Sequence, residues 1–496
     1  MLNRRRLLGL GGAVGAGALV WPLREATDSV ARENPDPHAH HQASSGGSDK
    51  AAKATAANPP PFTPFAERMP LPEVLKPVST QGDFDVYELP MLAATNEIFP
   101  GVSTPVLTFG GQFIGPTIHA RQGRAAKVTY INRLDRAATV HLHGGHVSSA
   151  SDGFPMDLIE PGQSRVFEYP NQQPGASLWY HDHTHHMEAE HVYRGLAGLY
   201  LIEGDDEKEL GLPSGTYDVP IVVRDGRFDE KGGMIFEPSP EPTMLHTNGR
   251  IQPYFPVAAR KYRLRLLNTT LHRIIEVSLG GQELVQIASD GGLLAEPVSR
   301  TKITLTPGER AEVVVDFSRH EAGSHVLLTD ARENEPIVRF DVTGTATDDS
   351  RVPDKLRALP ALPKASNVRK VKFSMTADGT QFAINDKTFD HNRVDFRIKE
   401  GTTEIWEITN ADTADGGTHG AIDHNFHMHL VPFRVLDRDG KAPLPGEQGL
   451  KDTILVSPGE TVRVQATFSG FRGKYLYHCH IQEHSDIGMM ATMEIV

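Results

Sequence analysis

Tyr475-Leu476-Tyr477-His478-Cys479-His480-Ile481-Gln482-Glu483-His484, followed by Met489, contains the only cysteine of the 496-residue chain. The aromatic residues leading to Cys479 favour a β-strand, in which successive side chains point to opposite faces. His478 and His480 then face one way and Cys479 the other. A thiolate, the imidazole of His484 and the thioether of Met489 can close on one metal ion. A trigonal His-Cys-His set with a weak axial Met is a blue-copper pattern, and soft sulfur ligands select copper over magnesium or calcium. The two flanking histidines face a second place, one residue away on either side of the same sulfur. This predicts a wire between two metal sites.

Such a site needs more imidazoles, and the chain supplies them in clusters. His424-Asn425-Phe426-His427-Met428-His429 offers three, and His141-Leu142-His143 and His181-Asp182-His183 offer two each. With 24 histidines, about one His-x-His pair is expected by chance. His38-Ala39-His40 is read as that bystander. The other four segments, in this order, resemble the copper signatures of the multicopper oxidases. The text around them is similar to the three-domain bacterial laccases of the spore-coat and bilirubin-oxidase type: HLHGGH at 141–146, PNQQPGASLWYHDH at 170–183, SDGGLL at 289–294, GTTEIWEI at 401–408 and PFRVLDR at 432–438. The resemblance runs from about Phe62 to Val496.

The resemblance implies four copper ions. A mononuclear blue site would take His424, Cys479, His484 and Met489. A trinuclear cluster would take His141 and His427 on one ion, His143, His181 and His480 on a second, and His183, His429 and His478 on a third. It also implies an acid near the cluster, and Asp152 in Ser151-Asp152-Gly153 matches that position; read alone, Asp-Gly is a turn former. Two departures stand out. Related enzymes carry an acid directly after the last blue-site histidine, where this chain has Ser485 and then Asp486. Asn425 stands where the family often has proline, and the preceding loop, 411–423, is somewhat longer. His146, His185, His186 and His191 are expected to support or surround the site, and Met428, Met490 and Met493 to be core.

A faint repeat organises the body. A strand ending in Asn occurs at Asn132, Asn268 and Asn410, and each is followed by a Pro-Gly turn at Pro161-Gly162, Pro307-Gly308 and Pro458-Gly459. Short alternating strands with regular turn signals predict β-sandwiches. The expected fold is all-β: three consecutive sandwiches, each a cupredoxin-like Greek key by resemblance. Their expected bounds are 62–208, 215–345 and 366–496, with a polar linker at 348–364. The middle copy has no His-x-His pair, so it reads as a spacer that lets the outer two build an interdomain copper cluster.

A net charge of −13 argues against a nucleic-acid partner. Asn3-Arg4-Arg5-Arg6-Leu7-Leu8 precedes a Gly/Ala-rich apolar stretch, predicting a twin-arginine export signal over 1–30 and delivery to the periplasm, cell envelope or medium. Residues 31–61 read as a disordered linker. After processing, a monomer without membrane insertion is expected.

By resemblance, the activity is one-electron oxidation of phenols or aromatic amines coupled to reduction of dioxygen to water. A cuprous or ferrous ion oxidase is the alternative, although the 12 methionines are scattered rather than gathered in one segment. A non-enzymatic envelope scaffold on the same fold is the alternative of a different class, disfavoured because every ligand type is present.

Overall fold

The computed structural model describes residues 58–237, 243–413 and 421–496. The expected export signal, most of the linker and His38, His40 and His41 lie outside them. Among the described residues strands dominate and form six sheets, two in each of three successive stretches: 79–203, 218–345 and 367–495. Each pair of sheets encloses its own apolar core. Leu89, Tyr130 and Phe167 meet Leu142, Leu178 and Tyr180 in the first; Leu264 and Val313 meet Ile275 and Phe340 in the second; Trp406 and Val464 meet Phe426 and Tyr477 in the third. The three are consecutive cupredoxin-like sandwiches.

The repeat seen in the sequence is a repeat of topology. Phe84–Asn96 runs parallel to Ala125–Asn132, Asp218–Gly226 to Lys261–Asn268, and Asn367–Met375 to Thr402–Asn410. Each second strand then pairs antiparallel with the strand after the Pro-Gly turn: Ser164–Tyr169, Arg310–Asp316 and Thr461–Phe468. The three asparagines are fully buried, where an unpaired amide would be costly. Each Nδ2 donates to two main-chain carbonyls: Asn132 to Arg136 and Ile159, Asn268 to Arg273 and Leu305, and Asn410 to Ile422 and Val456. The turn closes back on them, since the N–H of Gly162, Gly308 and Gly459 donates to the carbonyl of Asn132, Asn268 and Asn410 respectively. These glycines have φ of +79°, +89° and +77°, which side chains resist.

Two expectations change. Residues 58–61, expected to end a disordered linker, are placed against the body: Asn58 Nδ2 donates to Glu230 Oε1 at 3.2 Å. The segment around Met69, expected at the head of the first sandwich, joins the second, where Met69 is a core residue and its N–H donates to the Tyr254 carbonyl. The first two sandwiches share a further apolar cluster in which Phe99, Trp179 and Val192 pack on Val222, Phe228 and Leu267. No helix among the described residues is long and apolar enough to cross a membrane.

Candidate metal centre

Strand register places the histidines. Val140–His143 pairs antiparallel with Ala176–Asp182, setting His141 opposite His181. In the third sandwich His424–Met428 pairs with Gly473–Cys479, setting His427 opposite His478 and Phe426 opposite Cys479. Alternation along a strand sends His141 and His143 to one face and Leu142 to the core. The two imidazole-bearing faces meet across the domain boundary. The His141 ring stacks on His429 with centroids 3.7 Å apart, and His143 stacks on His427 at 3.8 Å.

Eight buried imidazoles thus form one continuous cluster: His141, His143, His181, His183, His427, His429, His478 and His480. Outer nitrogens are tied to the protein. Nδ1 of His141, His181, His427 and His478 donates to the carbonyls of Asp152, Asp182, Asp452 and Cys479. Inner nitrogens point at one another. His429 Nε2 lies 3.2 Å from His478 Nε2, and His183 Nε2 lies 3.4 Å from it. His143 Nδ1 is 3.1 Å from His480 Nε2. His478 and His429 both spend their N–H on outer oxygens, so the facing atoms are lone pairs that repel unless a cation lies among them. Nε2 of His141, His181 and His427 and Nδ1 of His480 are buried without a hydrogen-bond partner. Burial holds these rings neutral: His181 is pushed down to about 4 and His478 to about 3, and desolvation takes the other six well below the usual imidazole range. Neutral imidazole is the ligand form. The residues fit a bound metal cluster.

The second constellation lies on the opposite face of the same strand. Cys479 Sγ is 3.8 Å from His424 Nδ1 and 3.6 Å from His484 Nδ1, and the two nitrogens are 3.1 Å apart. His484 sits on the short helix Gln482–Asp486 immediately after the cysteine strand. Met489 is fully buried in the same core as Cys479, its N–H donating to the His484 carbonyl and its own carbonyl accepting from Cys479 N–H. Burial pushes the Cys479 thiol up to about 12, so a cation must displace its proton. One thiolate and two imidazoles form the soft donor set that copper favours.

Family models of the multicopper oxidases match residues 93–207, 179–347 and 360–496. The chain is 34% identical to a laccase of Bacillus subtilis over 87% of its own length and 98% of that protein. It is 32% identical to a bilirubin oxidase of Albifimbria verrucaria over 89% of its length and 82% of that protein. A solved multi-copper oxidase of Pediococcus acidilactici superposes with a TM-score of 0.82 at 33% identity, covering 90% of this chain and 94% of that one. The chain belongs to the multicopper oxidases.

In this multicopper oxidase the carboxylates around the clusters are the part that sequence reasoning reached least. Asp152 is buried at the end of a 3-10 turn, and its Oδ2 accepts from His429 Nδ1 at 2.8 Å. It is therefore more than a turn former: it fixes which nitrogen of His429 faces inward. Burial, and secondarily the charge of Asp157, hold its carboxyl well above the usual range. Asp452 escaped notice because Lys451-Asp452-Thr453 carries no motif; its Oδ1 accepts from His143 Nε2 at 3.0 Å. Glu188, on the helix Glu188–Arg194, lies 3.4 Å from His183 Nδ1 and 3.8 Å from His181 Nδ1. Ser485, the position where related enzymes place an acid, donates its hydroxyl to Glu188 Oε2 at 3.1 Å. A carboxylate thus stands beside that serine, delivered by the first sandwich rather than the third. Burial, then the Asp486 charge, raise Glu188 well above its usual range. His191, expected as a supporting group, pairs with Asp182 Oδ1 at 3.0 Å.

Asn425 stands where the family often has proline. Its Nδ2 donates to Thr306 Oγ1 and the Pro307 carbonyl of the middle sandwich, while Oδ1 accepts from His480 N–H and the Cys479 thiol. A Cβ on Gly308 would come within 3.0 Å of His480 and 3.1 Å of His143. The middle sandwich is therefore not a bare spacer, since its Pro-Gly turn forms part of the cluster wall.

Proposed function

We propose that this multicopper oxidase takes single electrons from small phenols or aromatic amines and delivers them to dioxygen, with His424, Cys479, His484 and Met489 holding the blue copper. In the same reading His141 and His427 hold one ion of the trinuclear cluster, His143, His181 and His480 the second, and His183, His429 and His478 the third. When bound, copper supplies the redox chemistry: one-electron oxidation at the blue site and four-electron reduction of dioxygen to water at the cluster. The observation that carries the reading is the position of Cys479. Its sulfur faces one donor set, while the peptide bonds on either side lead directly to His478 and His480 in the other.

The protein's own groups divide the remaining work. His424 is fully buried, whereas His484 is partly exposed, so a reductant meets the His484 edge. Phe382, itself buried, packs on His484 with ring centroids 4.0 Å apart and covers one face of that imidazole, leaving its edge as the approach. Around the cluster, Asp152, Asp452 and main-chain carbonyls hold His141, His143, His181, His427, His429 and His478 each in one tautomer, which fixes the nitrogen turned inward. Buried carboxyls at Asp152 and Glu188 supply sites where protons can wait beside the dioxygen site. Export by the twin-arginine route, supported by the Arg4-Arg5-Arg6 start, belongs to this reading, as does a monomeric enzyme.

Oxygen uptake by the copper-loaded protein tests it. A neutral phenol and an aromatic amine should each drive uptake, with cuprous ion a poorer reductant. Turnover of cuprous ion alone would replace the phenol reading with a metal-ion oxidase. No uptake with any of them, despite full copper loading, would favour the scaffold.

A further inference from the structure

Arg310 opens the strand Arg310–Asp316 of the middle sandwich, and it is 1% exposed. Its guanidinium touches all three sandwiches. Nε donates to the Ser177 carbonyl of the first at 2.9 Å, in the strand that leads to His181. Nη2 donates to the Asp290 carbonyl of its own sandwich at 3.1 Å. Both terminal nitrogens grip Asp452 of the third, at 2.7 and 2.6 Å. Asp452 passes the contact on: Oδ1 accepts from His143 Nε2 at 3.0 Å, and its main-chain carbonyl accepts from His427 Nδ1 at 2.9 Å. The Asp290 carboxylate pins the same turn, accepting from the N–H groups of Asp452 and Thr453 at 3.3 Å and from Lys451 Nζ at 2.9 Å.

We propose that Arg310, acting through Asp452, is a positioning residue that makes the trinuclear site depend on the docked middle sandwich. The inference rests on the copper-ligand reading above. His143 and His427 come from different sandwiches, and each imidazole can turn about its Cβ–Cγ bond to present either face or nitrogen. The Asp452 carboxylate removes that freedom for His143, where a proton on Nε2 leaves Nδ1 as donor to a metal, and the Asp452 main-chain carbonyl removes it for His427, where a proton on Nδ1 leaves Nε2. The planar guanidinium fork fixes the plane of the Asp452 carboxylate, which an ammonium point charge cannot do. Buried pairs of this kind gain little net stability after desolvation, so specificity of arrangement is what this one can contribute.

The test uses the full chain, copper-loaded, with Arg310→Lys. Lysine keeps a positive charge beside Asp290 and Asp452 but loses the fork and the Nε–H that the Ser177 carbonyl accepts from. A graded chelator should strip the trinuclear copper from the variant at affinities about 10–100-fold weaker than in the wild type, while the blue absorption of the Cys479 site persists. Asp452→Asn should move the same curve, and the double variant should lose no more than the worse single one, because the two act in series. Chelation along the wild-type curve, even with a lowered melting temperature, would make Arg310 a purely structural tie and overturn the proposal. Additive losses would overturn its action through Asp452. A wild type that bound no copper would instead sink the ligand reading itself.

Discussion

His424 Nε2 donates a 2.9 Å hydrogen bond to Asp412 Oδ2, and that carboxylate also accepts from the Met375 N–H at 2.9 and 3.0 Å. Of the three acids in the loop before His424, Asp412 is thus committed to a blue-site ligand rather than to solvent. Asp415 lies outside the described residues, and Asp423 is half-buried.

Replacing Asp412 by Asn removes a negative charge hydrogen-bonded to a ligand that must stabilise the oxidised metal. The blue absorption should remain, and the potential of the blue site should rise by tens of millivolts in a redox titration followed at that band. An unchanged potential would show that the carboxylate only anchors the loop.

Cys479→Ser exchanges the sulfur for an oxygen of similar size in a fully buried position. Blue absorption and oxidation of all organic reductants should vanish, while circular dichroism stays that of a β protein. A variant that remained blue would remove Cys479 from the site.

Asp152→Asn leaves an oxygen able to accept from His429 but no exchangeable acid. Anaerobic reduction of the blue site should be unchanged, while reoxidation by dioxygen slows by roughly 10²-fold in stopped flow. Equal effects on both half-reactions would assign Asp152 to orientation alone.

His246 is buried between the first two sandwiches, close to Phe113 and Arg224. Desolvation, then Arg224, push its imidazole down to about 3 from 6.5. The unfolded chain therefore binds a proton that the folded one refuses between those values, and this stability is fully present above pH 6.5. It should fall by about 1.4 kcal/mol per pH unit below 6.5. His246→Phe should make the decline in melting temperature between pH 7 and 5 shallower by this one group's share, the cluster imidazoles keeping theirs. A variant as acid-sensitive as the wild type would place the responsible groups elsewhere.

What the chain alone determined is local and periodic. The alternation around Cys479 and in the two His-x-His strands places each ligand on a face, because a strand turns side chains over every residue. The strand-ending asparagines and Pro-Gly turns announced three copies, since each copy needs the same buried amide and left-handed glycine at its turn. The distant partners had no such signature. Glu188 lies in a helix nearly three hundred residues from Ser485, and Arg310 and Asp452 carry no motif. Their meeting depends on how three sandwiches dock. Charge in a one-dimensional chain does not reveal which carboxylate will be buried against which imidazole; only packing of the domains removes the water and makes those pairings necessary.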